Sequence, residues 1–374
     1  MSSKPHILFL FSDAGGGHRA ASEAIIEALG TEIGDAVTVE MVDFLQDYAP
    51  PPYNRLPHIY PDLVRVPELW GAGFHISDGR RQARIMTSTL WPIVRRAARR
   101  LVREHPSNML VSVHPLATSF FLRALGKSRP PFVIVVTDMV STHALWFDQR
   151  ADLILVPTEL ARQRAIEFDM LPEKVRVVGQ PITERYCIAS CGKETLRARL
   201  GWSMEKSVVL LAGGGEGMGP LAKTAHSIDK SGLDLSLVIL TGRNTRLKDA
   251  LEKQPWENPT FIYGFTKEMP EFMRAADVLV SKAGPGTIAE ALAAGLPLIL
   301  YSKLPGQEDG NVTFVESAGA GVWAPSSQQV VRTLTRWISR PREREAVAEN
   351  CRRAARPQAA RTIARILGEQ VGLV

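Results

Sequence analysis

The stretch from Ser281 to Gly295, Ser-Lys-Ala-Gly-Pro-Gly-Thr-Ile-Ala-Glu-Ala-Leu-Ala-Ala-Gly, lies between two apolar runs, Asp277 to Val280 and Leu296 to Leu300. Runs of that length and composition predict buried strands, and Ile288 to Ala294 predicts a helix, so the unit is strand, glycine-rich turn, helix, strand. This is a βαβ unit, which places the chain among the α/β folds. In an open α/β sheet ligands bind at the carboxyl ends of the strands, and here that place is held by Gly284, Gly286 and Thr287 at a helix start. The backbone amides and positive helix end can hold a diphosphate. Glu290, one turn further on, then lies within reach of a ribose's paired hydroxyls. A sharp turn by itself also accounts for glycines at such a place. What favours a ligand is that a second glycine loop opens the chain and another opens its second half.

Near the N-terminus the apolar run His6 to Ser12 leads into Ser12-Asp13-Ala14-Gly15-Gly16-Gly17-His18-Arg19, after which Ala21, Ala24, Ile25 and Ala28 recur at helical spacing. Strand, glycine loop and helix follow one another again. Consecutive glycines, Gly16 and Gly17 among them, let the backbone approach a ligand closely, and His18 is placed to meet a substrate hydroxyl. Near an ordinary pKa of about 6.5 its imidazole suits general base work, although a histidine can also simply cap or solvate a turn. Val37 to Val42, Met109 to Val113, Phe132 to Val136, Ile154 to Val156 and Val175 to Val178 predict further strands. Two of them end in His114-Pro115 and Thr137-Asp138, again at carboxyl ends. Ser141 to Phe147, which holds His143 and Trp146, is a loop suited to an acceptor pocket.

Ala49 to Phe74 carries six prolines together with Tyr60, Trp70 and other aromatics. Proline density predicts no long regular element there, while the aromatics argue against simple disorder. A basic region follows, with Arg80, Arg81 and Arg84 and then Arg95, Arg96, Arg99, Arg100 and Arg103. Over 90–102, Leu90, Ile93, Val94, Ala97, Leu101 and Val102 can share one helical stripe. The arginines are then either solvated on a surface helix or resting on an anionic membrane.

Val208 to Leu211 restarts the pattern and leads to Gly213-Gly214-Gly215-Glu216-Gly217-Met218-Gly219, whose glycines can admit a diphosphate or sugar. Leu235 to Leu240 leads to Gly242-Arg243-Asn244, and Phe261 to Phe265 precedes a helix over Lys267 to Ala275. Past the final buried strand, Pro305-Gly306-Gln307-Glu308-Asp309-Gly310-Asn311 gathers amides and carboxylates able to bind sugar hydroxyls. Gln328 to Gly368 is helical and rich in arginine. The expected architecture is two doubly wound, Rossmann-like domains, residues 1–180 and 181–374, linked through Gly179-Gln180-Pro181-Ile182, with a ligand crevice between them.

A chain of 374 residues, 45% hydrophobic and 22% charged, is globular and fits two domains. No run approaches the ~20 apolar residues that span a bilayer, and Met1 leads into a strand without a cleavable signal pattern, so a cytoplasmic or peripheral protein is expected. Cys187, Cys191 and Cys351 are too few for a disulfide framework and lack a second ligand pair for zinc. A net charge of +6 calls for an anionic partner, which composition alone leaves open between nucleic acid, anionic lipid and a nucleotide substrate.

The loops at residues 13–19, 137–138 with 143, 213–219, 242–244, 282–290 and 305–308 together resemble the monogalactosyldiacylglycerol synthases and bacterial diacylglycerol glucosyltransferases, related more distantly to the transferase that makes lipid II. The resemblance runs in order along nearly the whole chain. One departure is Ala144, where the family loop commonly has proline after the histidine. The resemblance implies an α/β GT-B glycosyltransferase fold, a UDP-sugar donor (UDP-galactose or UDP-glucose), inversion at the anomeric carbon, and neither cofactor nor obligatory metal. It puts Phe265 near uracil, Gly284 to Thr287 on the diphosphate, Glu290 on the ribose, and Gln307 and Glu308 on the sugar. Gly213, Gly214, Gly215, Glu216, Arg243 and Lys282 complete the donor side. Gly16, Gly17, His114, His143, Trp146, Tyr60, Trp70, Arg80, Arg81 and Arg84 belong to the side that takes diacylglycerol from a membrane of anionic lipids. The last helix is placed to return to the first domain. Plant relatives carry a transit peptide, so the expectation is a bacterial enzyme peripherally bound to the inner face of the cell membrane.

His18 is the expected base for the acceptor hydroxyl, with Asp138 the alternative base or the group that orients it. Positive charge for the leaving diphosphate would come from the Gly286 helix end, Arg243 and Lys282. Transfer to a polyprenyl-linked sugar and UDP-sugar epimerisation are the alternatives within the fold. Nucleic acid is not an expected partner, since the arginines sit beside prolines and apolar residues rather than on a reading element.

Overall fold

The computed structural model describes residues 4–13, 16–64, 66–188, 191–217 and 219–373, with the side chains of all but 61–63. Ala14 and Gly15 of the first glycine loop and Met218 of the second therefore lie outside the described residues. The chain forms two compact units, one of Met1–Glu184, Pro305–Gln307 and Arg356–Val374, the other of Arg185–Leu304 and Glu308–Ala355.

The first unit begins with β1 (His6–Phe11), α1 (Gly17–Glu32), β2 (Thr38–Asp43), α2 (Leu56–Leu63), α3 (Pro67–Ser77) and α4 (Arg80–Glu104). It continues with β3 (Met109–Ser112), α5 (Pro115–Leu125), β4 (Phe132–Val135), β5 (Leu153–Val156), α6 (Glu159–Glu167) and β6 (Val175–Val177). The strands are parallel in the order β2-β1-β3-β4-β5-β6. Both faces of the sheet are covered, which is why its strands are continuous apolar runs. Leu8, Leu10 and Ile134 point to one core with Leu101 and Phe121, while Ile7, Phe9 and Val133 point to the other with Ile25.

The second unit holds α7 (Lys193–Leu200), β7 (Ser207–Ala212), α8 (Leu221–Asp229), β8 (Leu235–Leu240), α9 (Thr245–Glu252) and β9 (Thr260–Tyr263). Then come α10 (Met269–Ala275), β10 (Val278–Lys282), α11 (Pro285–Ala294), β11 (Leu298–Ser302), α12 (Asp309–Ser317), β12 (Gly321–Trp323), α13 (Ser327–Ser339) and α14 (Pro341–Ala354). Its parallel order is β12-β11-β10-β7-β8-β9. The final helix, α15 (Ala359–Gln370), belongs to the first unit, where Ile363 and Leu367 complete the core beneath α1.

In each sheet the strand order reverses at one place, between β1 and β3 and between β7 and β10. Loops diverge there and leave a crevice. The glycine loops after β1, β7 and β10 all occupy such positions.

Three expectations are corrected. The proline-rich stretch is largely helical, because Pro57 and Pro67 fall in the first turns of α2 and α3, where an N–H has no helical partner to lose. The arginine-bearing helix spans Arg80–Glu104 rather than 90–102, and Ile93 is 43% exposed, off the packed stripe. A strand beyond the expected last one, β12, is only three residues long, with Gly321 alone buried.

Candidate active site

In the first unit, Gly16 takes a left-handed conformation (φ 77°) as the residue before α1, the turn that lets the chain leave β1 and start the helix at Gly17. His18 is then the second residue of α1, with its Nδ1 3.0 Å from Thr137 Oγ1 just past β4. Its ring centroid lies 4.5 Å from that of His114 and 6.1 Å from that of Trp146. His114 follows β3 and caps α5, its Nδ1 accepting the Leu116 amide at 3.2 Å. A neutral imidazole that accepts at Nδ1 carries its proton on Nε2.

Burial pushes the His18 imidazole down to about 4, with a hydrogen bond to the Val113 backbone acting the other way. This corrects the expectation of an ordinary histidine, because the site withholds water from the imidazolium. His114 is held well below its usual value, by burial first and then by the His18 charge. Both rings are therefore neutral at pH 7.

Asp138 is 6% exposed, its Oδ2 accepting from Trp146 Nε1 at 2.7 Å and its Oδ1 from Gln307 Nε2 at 3.1 Å. Trp146 is wholly buried, so it holds Asp138 rather than lining an open pocket. His143 accepts the Leu145 amide at Nδ1 (3.1 Å), which leaves Nε2 to donate to Ser77 Oγ at 3.1 Å. Phe74 packs edge-on against it at 5.0 Å. His18, His114, Asp138, His143 and Gln307 meet in one cavity of about 440 Å³ whose other walls are apolar, Tyr60, Leu69, Trp70 and Met86 among them. The Trp70 indole N–H is buried with no hydrogen-bond partner among the described residues.

Arg80 and Arg84 lie elsewhere, on a separate cavity of about 460 Å³ shared with Arg123 and Arg150. Arg80 pairs with Asp169, and Arg81 is exposed.

In the second unit the loop after β7 and the loop after β8 lock together. The Arg243 amide donates to Gly215 O at 2.8 Å, and Gly242 (φ 59°) approaches so closely that a Cβ there would meet Gly215 O at 2.3 Å. The Arg243 side chain pairs with Glu216 at 2.6 Å and covers the Phe265 ring at 4.9 Å, although Phe265 remains 61% exposed. Lys282, at the end of β10, sits between two glycine loops. A Cβ on Gly214 would lie 3.1 Å from its Cε, and one on Gly284 would lie 3.2 Å from its Nζ. Its ammonium pairs with Glu308, which is 2% exposed and also accepts the Leu304 amide at 2.8 Å. Gly213 lies in the same β7 loop, its amide donating to Leu240 O.

Helix α11 starts at Pro285 with Gly284 as its cap and no side-chain cap, so the Gly286 and Thr287 amides are first-turn donors with no intrahelical acceptor. Glu290, one turn on, is half-buried, and burial pushes its carboxyl up to about 7 while a hydrogen bond from Tyr186 lowers it. Tyr186 was invisible to sequence reasoning as a partner, lying far from Glu290 in the chain. Ser77 and Phe74 went unassigned for the same reason, since no local pattern marks residues joined only by folding.

The residues expected on the donor side, Gly213 to Glu216, Arg243, Phe265, Lys282, Gly284, Gly286, Thr287, Glu290 and Glu308, thus fall in the second unit, while Gln307 groups with the first. The model of the monogalactosyldiacylglycerol (MGDG) synthase family matches residues 18–182, and that of the glycosyltransferase family 28 C-terminal domain matches 208–365. The solved structures of Acinetobacter baumannii MurG (TM-score 0.64, 15% identity, 98% of this chain and 99% of that one) and of Anabaena Alr3699/HepE in complex with UDP and glucose (0.58, 15%, 98% and 100%) share the GT-B fold. The probable monogalactosyldiacylglycerol synthase 3, chloroplastic, of Oryza sativa subsp. japonica is 35% identical over 376 residues, 97% of this chain and 74% of that protein. With identity of that extent over both glycine-loop units, the chain belongs to the monogalactosyldiacylglycerol synthase family.

Proposed function

We propose that the chain transfers a hexose from a UDP-sugar to the free hydroxyl of 1,2-diacylglycerol, with inversion, and that the sugar is galactose, as the relatives' names suggest. The observation that carries this reading is the 440 Å³ cavity, apolar along its walls and ending at His18, His114 and Asp138. A lipid alcohol is the substrate such a cavity suits. Its chains take the apolar walls, its hydroxyl meets the polar end, and an ester carbonyl satisfies the Trp70 indole N–H.

In this reading the second unit holds UDP, with the α11 amides of Gly286 and Thr287 and the Lys282 ammonium on the diphosphate and Glu290 on the ribose. These cationic and dipolar groups stabilise the charge that gathers on UDP as it leaves. His18 accepts the hydroxyl proton as the oxygen attacks the anomeric carbon. Its imidazole is neutral and ready to accept, and the anionic donor brought to the acceptor makes it more basic. Asp138, held by Trp146 and Gln307, positions the acceptor end of the cavity. Exposed Leu69, Ile76 and Ile85 beside Arg81 and Arg84 suit a peripheral contact with an anionic membrane. Among the described residues no helix is long and apolar enough to cross one.

The test uses radiolabelled UDP-galactose and UDP-glucose in parallel with liposomes of diacylglycerol and phosphatidylglycerol, following label into lipid. Lipid label from UDP-galactose is expected. Label from UDP-glucose alone would change the sugar, and label from neither, with UDP still bound, would overturn diacylglycerol as acceptor. His18→Ala should lower kcat by about 10²–10⁴ with UDP affinity intact. Near wild-type turnover would remove His18 from the chemistry.

A further inference from the structure

A second, smaller void of about 70 Å³ lies beside the acceptor cavity, between the turn at residues 44–48 and helices α4 and α5. It is partly open at its rim and lined by aromatic and aliphatic carbon, the kind of surface that suits a hydrocarbon occupant. Tyr48, Tyr53, Leu90, Val94, Ala97 and Phe120 are among its walls. The Tyr48 hydroxyl is engaged outside it, donating to Glu104 at 2.8 Å and lying 2.7 Å from His105 Nε2, so the tyrosine offers the void only its ring.

This void is continuous in its lining with the acceptor cavity, because Leu45, Leu56 and Leu116 face both. Helix α4 supplies the track. Met86 faces the acceptor cavity, and Leu90, Val94 and Ala97 follow at helical spacing on the void. Those positions span about 16 Å along one helix face. All four are half-buried rather than sealed in the core, so this face of α4 is left partly open along the slot.

Resting on the acceptor reading above, we propose that this slot takes one fatty acyl chain of the diacylglycerol, and that Leu90, Val94 and Ala97 set which chain lengths are accepted. The larger cavity keeps the glycerol, its hydroxyl and the other chain. The resting void holds only a few methylenes, so a long chain runs along α4 past Ala97 toward the half-buried Tyr48 and Tyr53.

Two measurements test this on the full chain. Diacylglycerol with a diazirine near the end of one acyl chain is photolysed with the protein, and the labelled peptides are sequenced. Label within residues 90–97 or at Tyr53 is expected, and label confined to α3 or absent from the protein overturns the slot. This readout needs no turnover, so it stands even if no sugar is transferred. The second uses Ala97→Phe and Leu90→Phe, each checked for a wild-type circular dichroism spectrum. The ratio of kcat/KM for long-chain to short-chain diacylglycerol should fall tenfold or more, since each methylene denied burial costs about fourfold. An unchanged ratio in both variants overturns the slot. A wild-type protein that glycosylates no diacylglycerol of any length sinks the acceptor reading instead.

Discussion

His18 shows how far a folded site can move a side chain from its solution chemistry. In water its pKa is about 6.5, and burial brings it to about 4. Above pH 6.5 the ring is neutral in both folded and unfolded chains, and the full stability is present. Between 6.5 and about 4 the unfolded chain binds a proton that the folded one refuses, so stability falls as pH falls. His114 is displaced in the same direction and adds to the loss. The thermal midpoint should therefore drop between pH 7 and 5. His114→Asn, which keeps a capping acceptor, should flatten that slope, and an unchanged slope would show that the rings are solvated. The same displacement places the acid limb of kcat/KM for the UDP-sugar, which reports the enzyme before the anionic donor binds, near pH 4. A limb near 6.5 would assign it to another group.

Glu290 is displaced upward, to about 7, with Tyr186 as its hydrogen-bond partner. Glu290→Ala should weaken UDP binding about ten- to a hundredfold by calorimetry, the worth of hydrogen bonds to a charged acceptor. Unchanged affinity would remove it from the ribose. The glycines around these residues were legible in sequence as tight turns at helix starts. The partners Thr137, Tyr186 and Ser77 were not chosen by any local pattern, because each meets its histidine or carboxylate across more than 60 residues of chain.

At the scale of elements, the strands were legible because a parallel sheet covered on both faces demands continuous apolar runs, and this chain has them. Helices α2 and α3 were not, since Pro57 and Pro67 fall in first turns, where proline is tolerated, and α2 continues through Pro61. The loops after β7 and β8 are tightly locked together in the second unit. Gly242→Ala combines a left-handed backbone with a collision against Gly215 O, and should cost about 1–3 kcal/mol in urea denaturation while loosening UDP. A fully stable variant would mean that the two loops are not locked as described.

At the scale of the whole molecule, the chain ends in the unit where it began. Leu367, fully buried against the core of the first unit, is the place to test this. Leu367→Ala should cost about 2–5 kcal/mol, and the loss should appear in the unfolding of the unit that contains Trp146, although the mutation lies at the far end of the chain. Unfolding of the second unit alone would contradict that packing. The proposed membrane contact belongs to this scale as well. Ile76 is 74% exposed, and Ile76→Glu should reduce binding to anionic vesicles in sedimentation, with remaining binding sensitive to salt. Vesicle binding indifferent to the change would move the contact off α3.

The sequence by itself determined the α/β class, the paired glycine-loop units and the residues at strand ends, because these depend on periodicity and turn chemistry confined to a few neighbouring positions. Tertiary structure alone decided which strands flank each crevice and which core residues α15 completes beneath α1. It also decided which cavity the arginines line and how far His18 and Glu290 are displaced. Those outcomes follow from burial and from partners brought together across long stretches of chain, and desolvation exists only once the fold has excluded water.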